Sequence, residues 1–298
     1  MPTVEIEGRR VALSNLDKVL YPATGFTKGE AVHYYAELAG SVLPHLRDRP
    51  VSFLRYPDGV EGDRFFAKNV PPGAPEWVTT TDIPHSGGTS VRHVLLQDLP
   101  SLVWAANLAA LELHTHQWRA ATPRRADRIV FDLDPGTGAG VLDCRTVAIW
   151  LRDRLATDGL TALPKTSGAK GLHLLAALEP ADSARVSAYA KQLAREAERA
   201  MPELALHRMN RALRAGKVFV DHSQNSWSKT TAAPYTLRAR GAPTVSAPVS
   251  WDELAAAGTE DELTFQAADM AERVRRHGDL LAPLLAPGRA SSLPEPAG

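Results

Sequence analysis

Two carboxylates, Asp132 and Asp134, close the run Ile129-Val130-Phe131-Asp132-Leu133-Asp134-Pro135-Gly136. An apolar stretch rich in β-branched and aromatic residues, ending in Pro-Gly, predicts a buried strand that stops in a turn. Side chains alternate along a strand, so Asp132 and Asp134 share one face while Phe131 and Leu133 occupy the other. Two carboxylates that close repel each other, and a divalent cation with a preference for hard oxygen ligands, Mg²⁺ or Mn²⁺, relieves the repulsion. Asp-x-Asp alone would read the same for a strand end with two hydrated acids.

Two further stretches add chemistry. Lys217-Val218-Phe219-Val220-Asp221-His222-Ser223-Gln224-Asn225 again runs from apolar strand to carboxylate. Between the two strands lies Lys165-Thr166-Ser167-Gly168-Ala169-Lys170-Gly171-Leu172-His173. Two glycines, a hydroxyl and an ammonium in one tight turn can cradle phosphate oxygens, although the spacing is not that of a Walker loop. His173 opens the strand that follows and can bond the same phosphates. Three carboxylates beside such a turn are what two-metal phosphoryl transfer requires, with cations roughly 3.5–4 Å apart. Lys170, His173, Arg214 and Arg238 would offset the charge of a triphosphate.

The elements that must position these groups can be read in order. Val4 to Leu13 predicts a hairpin turning near Gly8, and Ser14–Pro22 a polar loop with apolar anchors. Thr27 and Glu30 stand at capping-box spacing and open a helix through Tyr34, Tyr35 and Leu38 to about Leu43, stopping near Pro44. Asn15, Lys18 and Lys28 gather at its start, where backbone N–H groups, the helix dipole and two ammonium groups suit a phosphate. A capped helix with solvated lysines is the alternative. Val51–Tyr56 predicts a strand, followed by a Pro57-Asp58-Gly59 turn. Phe65 and Phe66 cannot both face one core from a regular strand. An exposed ring flanked by Arg64 and Lys68 would suit base stacking, whereas core plus edge is the structural alternative. Val91–Leu96 predicts a strand and Leu99–Glu112 a helix, with His114 and His116 just beyond. Arg145–Thr157 and Ser183–Ala200 predict helices, the second ended by Pro202. Lys229–Arg238 predicts a loop leading into a strand, and the residues from Pro287 a disordered tail.

Composition sets the class. The 298 residues are 44% hydrophobic and 23% charged, with formal net charge +0, as expected for a globular protein with a sizeable core. A single cysteine, Cys144, excludes an internal disulfide and suits a reducing cytoplasm. Neither a signal peptide nor an apolar run of membrane-spanning length is apparent. The charge is polarised. Arg208, Arg211, Arg214, Lys217, Lys229, Arg238 and Arg240 face only Asp221 between His207 and Arg240, whereas Trp251–Glu272 holds Asp252, Glu253, Glu260, Asp261, Glu262, Asp269 and Glu272 without a base.

At these motifs the chain resembles the polymerase domain of bacterial ligase D, a branch of the archaeo-eukaryotic primases. The resemblance is carried by Phe131-Asp-Leu-Asp-Pro-Gly, Thr166-Ser-Gly-Ala-Lys-Gly-Leu-His and Val218-Phe-Val-Asp-His-Ser-Gln-Asn. Lys229-Thr-Thr-Ala-Ala-Pro-Tyr, Trp251-Asp-Glu-Leu, Asn15-Leu-Asp-Lys-Val-Leu-Tyr-Pro and Phe65-Phe-Ala-Lys-Asn extend it over roughly residues 10–280. It implies an α/β (α+β) primase-polymerase fold over residues 1–285, in which two β-sheets flank a cleft, one an RRM-like palm, with 286–298 as a flexible tail. It implies Asp132, Asp134 and Asp221 as catalytic ligands of two Mn²⁺ or Mg²⁺ ions. Ser167, Lys170, His173, Arg214, Gln224 and Arg238 then surround the incoming nucleotide, Asn15, Lys18 and Lys28 hold a 5′-phosphate at a DNA break, and Phe65, Phe66 and Lys68 contact template. The implied activity extends DNA ends, with ribonucleotides preferred over deoxyribonucleotides, in end joining or gap filling beside Ku and an ATP-dependent ligase, in the bacterial cytoplasm at the nucleoid.

One departure stands out. The family pattern has Lys-Arg where this chain has Leu54-Arg55, so one basic contact is missing. The chain carries no ligase signature, and reads as a stand-alone enzyme or a domain of a larger one. Two other classes share part of this pattern. A haloacid-dehalogenase-type phosphatase also uses Asp-x-Asp, but needs Thr or Val where Gly136 stands. A non-catalytic DNA-end scaffold would tolerate loss of the acids, and all three are present.

Overall fold

The computed structural model describes residues 2–84 and 89–295. The chain is mixed α/β and divides into two compact units. The first unit comprises the residues up to His116 together with Ala232–Ser246 and Phe265–Gly278; the second comprises Gln117–Thr231, Ala247–Thr264 and the residues from Asp279.

In the second unit a five-stranded sheet has the central strand Arg125–Pro135. Leu172–Asp182 pairs antiparallel on one side and Val218–Asp221 on the other. Ala162–Thr166 lies beyond the first and Ala205–Leu206, running parallel, beyond the second. Ile129, Val130, Phe131 and Leu133 are fully buried. Two helices pack on the central strand, Val141–Thr157 and Ser183–Ala200. The second buries Val186, Tyr189, Ala190, Leu193, Ala194 and Ala197, the three-and-four spacing of an amphipathic helix. Cys144 on the first helix is fully buried, its Sγ 3.5 Å from the Leu133 carbonyl oxygen.

Val218–Asp221 is short, and the ladder to the central strand is continued by a side chain. Asn225 accepts from the Val130 N–H at 2.9 Å and donates to its carbonyl at 2.7 Å, with a second bond to the His222 carbonyl at 3.0 Å. Asn225 is 1% exposed and satisfies two buried main-chain groups that would otherwise go unpaired.

In the first unit, Val51–Arg55 pairs with Ala110–Thr115 on one side and with Phe65–Ala67 and Ser90–Val94 on the other; Thr80–Pro84 lies beyond. Helices Lys28–Glu37, Ala39–Leu46 and Leu99–Asn107 pack together. The Thr27 capping box is present, but the expected single helix is two, meeting at Leu38, and Pro44 lies inside the second. The expected helix Leu99–Glu112 ends at Asn107. Ala109 then takes a left-handed φ of 54°, and Ala110–Thr115 turns back as a strand. A fully buried strand is apolar on both faces, so its periodicity does not distinguish it from a buried helix.

The tail expected to be flexible from residue 286 is docked over its described part. The Glu179 N–H donates to the Ser291 carbonyl at 3.1 Å, Ser291 Oγ to the Gly159 carbonyl at 2.9 Å, and Arg185 to the Pro294 carbonyl at 3.0 Å. Leu293 is 6% exposed, so its burial helps hold the segment; 296–298 lie outside the described residues. Among the described residues no helix is long and apolar enough to cross a membrane. Asn225→Ala is expected to strand both Val130 main-chain groups and to cost about 3 kcal/mol, read as a lowered urea midpoint in the transition of the second unit.

Candidate active site

Strand register brings the carboxylates together. Asp132 is the direct cross-strand partner of Asp221 on one side and of His173 on the other, placing each Cα about 5 Å from its neighbour. Asp134 follows on the same face, beside Phe219 on the neighbouring strand. His173 is 2% exposed, with Nε2 at 3.3 Å from Asp132 Oδ1. Asp221 Oδ1 accepts from the Ser223 N–H at 2.8 Å and Oδ2 from Gln224 Nε2 at 3.0 Å. Gln224, expected at the nucleotide, donates to a carboxylate in this structure. Arg214 stacks over the Phe219 ring at 3.7 Å, which holds its guanidinium 4.0 Å from Asp134 Oδ2.

Two glycines make this crowding possible. A Cβ on Gly136 would lie 1.8 Å from the Arg214 carbonyl oxygen, and one on Gly171 2.0 Å from that of Leu133. Both neighbours are backbone and cannot yield by rotating a side chain. Ser167 is the hub of the Gly-Lys turn. Its Oγ accepts from the N–H groups of Ala169 at 3.2 Å and Gly171 at 3.1 Å, while Lys170 projects exposed. Burial first, then nearby cationic groups, push the His222 imidazole below its ordinary range, with Asp221 opposing. Lys165, passed over in the sequence, is fully buried on the strand register opposite His173.

Among the described residues, no three His, Cys, Asp or Glu side chains converge into a ready-made cage. Asp132 is turned towards His173 and Asp221 towards Ser223 and Gln224. The donor set still suits Mg²⁺ or Mn²⁺: three hard carboxylates on one face, for ions that characteristically share their coordination with substrate phosphate and water.

The remaining expected site residues belong to the first unit. Arg238 is held by Glu112, which is 4% exposed, with Nε 3.2 Å from Oε2. The same carboxylate oxygen meets His114 Nε2 at 2.9 Å, and Oε1 accepts from the Ala239 N–H at 3.1 Å. Leu54 stands directly across from Glu112 in the strand register. Burial alone would raise the Glu112 carboxyl; the His114 bond, the Arg238 charge and the Ala239 N–H overcome it and bring it to about 2. Sequence reading missed this acid because it took the segment for helix. Its signal was a carboxylate inside an apolar run, two residues before a histidine.

At the start of the helix Lys28–Glu37, the N–H groups of Lys28 and Gly29 donate to the Lys18 and Leu16 carbonyls at 2.8 and 2.7 Å, and that of Glu30 to Thr27 Oγ1 at 3.2 Å. The amides expected to hold a phosphate are thus engaged, leaving Lys18, Lys28 and Asn15. Asn15 takes a left-handed φ of 50°, which asparagine tolerates better than most residues. Phe65 and Phe66 are each 51% exposed on a short edge strand, so both rings face solvent, and Lys68 Nζ lies 5.9 Å from the centroid of Phe66.

Residues 27–281 match the family described as LigD, primase-polymerase domain. The chain is 45% identical over 284 residues to the multifunctional non-homologous end joining DNA repair protein LigD of Mycobacterium tuberculosis, spanning 92% of this chain and 37% of that protein. It is 30% identical over 271 residues to the bifunctional non-homologous end joining protein LigD of Bacillus subtilis, spanning 90% of this chain and 43% of that protein. The solved polymerase domain from Mycobacterium tuberculosis ligase D in complex with DNA superposes with a TM-score of 0.88 at 44% identity, covering 93% of this chain and 99% of that one. The chain belongs to the LigD primase-polymerase domain family. It spans well under half the length of these end-joining relatives.

Because the Glu112 carboxyl lies below its ordinary 4.5, its stabilisation is complete above pH 4.5 and lost as pH falls towards 2. Glu112→Gln is expected to cost about 3 kcal/mol at pH 7. In urea titrations at stepped pH, its deficit relative to the wild type should shrink between pH 4.5 and 2.

Proposed function

We propose that this chain is a DNA-end-repair primase-polymerase, adding nucleotides to a primer 3′-hydroxyl by two-metal phosphoryl transfer in non-homologous end joining or gap filling. The observation that carries the reading is the register that sets Asp132 between Asp221 and His173, with Asp134 and the Gly-Lys turn alongside. Support comes from family membership and from relatives whose names record end joining and a DNA complex.

In this reading Asp132, Asp134 and Asp221 hold the cations, Mn²⁺ or Mg²⁺. When bound, these would activate the attacking hydroxyl and neutralise developing phosphate charge. The chain's own residues do the rest. Ser167 shapes the turn that presents Lys170 to phosphate oxygens, and His173 stands beside Asp132 with a ring nitrogen for the same group. Arg214, stacked on Phe219 beside Asp134, offsets triphosphate charge. Gln224 keeps Asp221 oriented. Lys18, Lys28 and Asn15 take a recessed 5′-phosphate, and the exposed rings of Phe65 and Phe66, beside Lys68, stack on template bases. Ribonucleotides are the preferred substrate, and Ku and an ATP-dependent ligase are the partners, in a bacterial cytoplasm at the nucleoid.

The test is primer extension on a gapped, 5′-phosphorylated duplex with rNTPs or dNTPs and Mn²⁺ or Mg²⁺. Asp132→Ala and Asp221→Ala are expected to lower incorporation by at least on the order of 100-fold while end binding persists. Wild-type protein that binds ends but incorporates nothing would identify a scaffold instead. In a binding titration, Lys18→Ala and Lys28→Ala should each weaken capture of 5′-phosphorylated ends about tenfold. Equal losses on 5′-hydroxyl ends would remove the phosphate pocket.

A further inference from the structure

The loop around Lys18 and the start of the helix Lys28–Glu37 gather three cations in the first unit. Lys28, 6% exposed, donates to the Ser14 carbonyl at 2.6 Å and to Ser14 Oγ at 3.1 Å, and the charges of Lys18 and Arg55 both act on it. Arg55 is anchored through Nε to the Leu108 carbonyl at 3.1 Å. Lys18, the more accessible of the two lysines, meets an acid: its Nζ lies 2.7 Å from Asp58 Oδ1.

Asp58 is delivered there by a built turn. The Gly59 N–H donates to the Tyr56 carbonyl at 3.0 Å, and the Val60 N–H to the Leu20 carbonyl at 2.8 Å. This stitches the turn to the strand Val19–Tyr21, which begins immediately after Lys18. Gly59 takes φ +87°, and a Cβ there would lie 3.0 Å from the Leu20 carbonyl oxygen; a Cβ on Gly62 would lie 3.0 Å from the Asp58 Cβ and 3.2 Å from the Asp58 carbonyl oxygen. The Asp58 backbone is therefore confined while its side chain, 72% exposed, can rotate. Its position is fixed, its carboxylate is not.

We infer that Asp58 is a resident competitor for the terminal phosphate, occupying Lys18 in the DNA-free protein and swinging off when a 5′-phosphorylated end arrives. This rests on the DNA-end reading above. A terminal phosphate carries close to two charges and three acceptor oxygens, enough to displace one exposed carboxylate, whereas a 5′-hydroxyl brings neither. The exchange replaces one ion pair by another, so capture stays reversible and the end can be passed on after filling.

The test is fluorescence anisotropy of the full chain with gapped duplexes differing only in a recessed 5′-phosphate or 5′-hydroxyl. Asp58→Asn is expected to tighten binding of the phosphorylated duplex about two- to fivefold and to leave the hydroxyl duplex unchanged. Glu61→Gln, which removes the same charge from the same exposed loop, should change neither. Unchanged or weaker binding of the phosphorylated duplex by Asp58→Asn would overturn the inference, as would equal tightening on both duplexes or the same gain from Glu61→Gln. Lys18→Ala separates the two levels. If wild-type preference for phosphate vanishes in Lys18→Ala while Asp58→Asn behaves as wild type, only the competitor role falls. If the wild type shows no preference at all, the end-binding reading falls with it.

Discussion

Three carboxylates held on one face of adjacent antiparallel strands is the constraint to which the second unit answers. Antiparallel register puts Asp132 directly against Asp221, and the period of two adds Asp134; nothing about β-structure relieves the repulsion. The surroundings do. His173 flanks Asp132, Arg214 approaches Asp134, and Ser223 and Gln224 donate to Asp221. Each partner needs its own support: Phe219 under Arg214, the turn that Asp221 itself caps under Ser223, Asn225 to join that turn to the central strand. Gly136 and Gly171 are the spaces left so that these segments can close in.

The same economy recurs in the first unit, where two cations are held by acids. Arg238 rests on buried Glu112, and Lys18 on exposed Asp58. Burial separates the two cases. A pair shut from water is a fixed strut that orients its guanidinium, because breaking it leaves a stranded charge. A pair in water holds its partner only weakly and can be exchanged.

Much of this was legible in the sequence because it is local. The Asp132 strand, the Gly-Lys turn, the Thr27 capping box and the Pro57-Asp58-Gly59 turn each follow from residue type and spacing. What escaped depends on tertiary partners. Glu112 looked helical because a strand buried on both faces has no period to betray it. The bond from Gln224 to Asp221 was not foreseen, because sequence does not tell which neighbouring acid an amide meets. The first amides of the helix Lys28–Glu37 looked available, yet the preceding loop folds back onto them. The residues from 286 looked disordered by composition, but Leu293 finds a buried site and Ser291 the edge of a strand.

Cys144 gives the second unit a property of a different kind. The thiol lies beneath the carboxylate strand, fully buried, and burial, followed by the charges of Asp134, Asp143 and Asp132, holds it well above its ordinary range. Buried as it is, the thiol is open to a reagent only in the instants when the helix Val141–Thr157 lifts from the sheet. With one cysteine in the chain, the rate of that single modification is a clock for local opening directly under the acids. The molecule thereby carries a native reporter of how firmly its carboxylate-bearing strand is clamped.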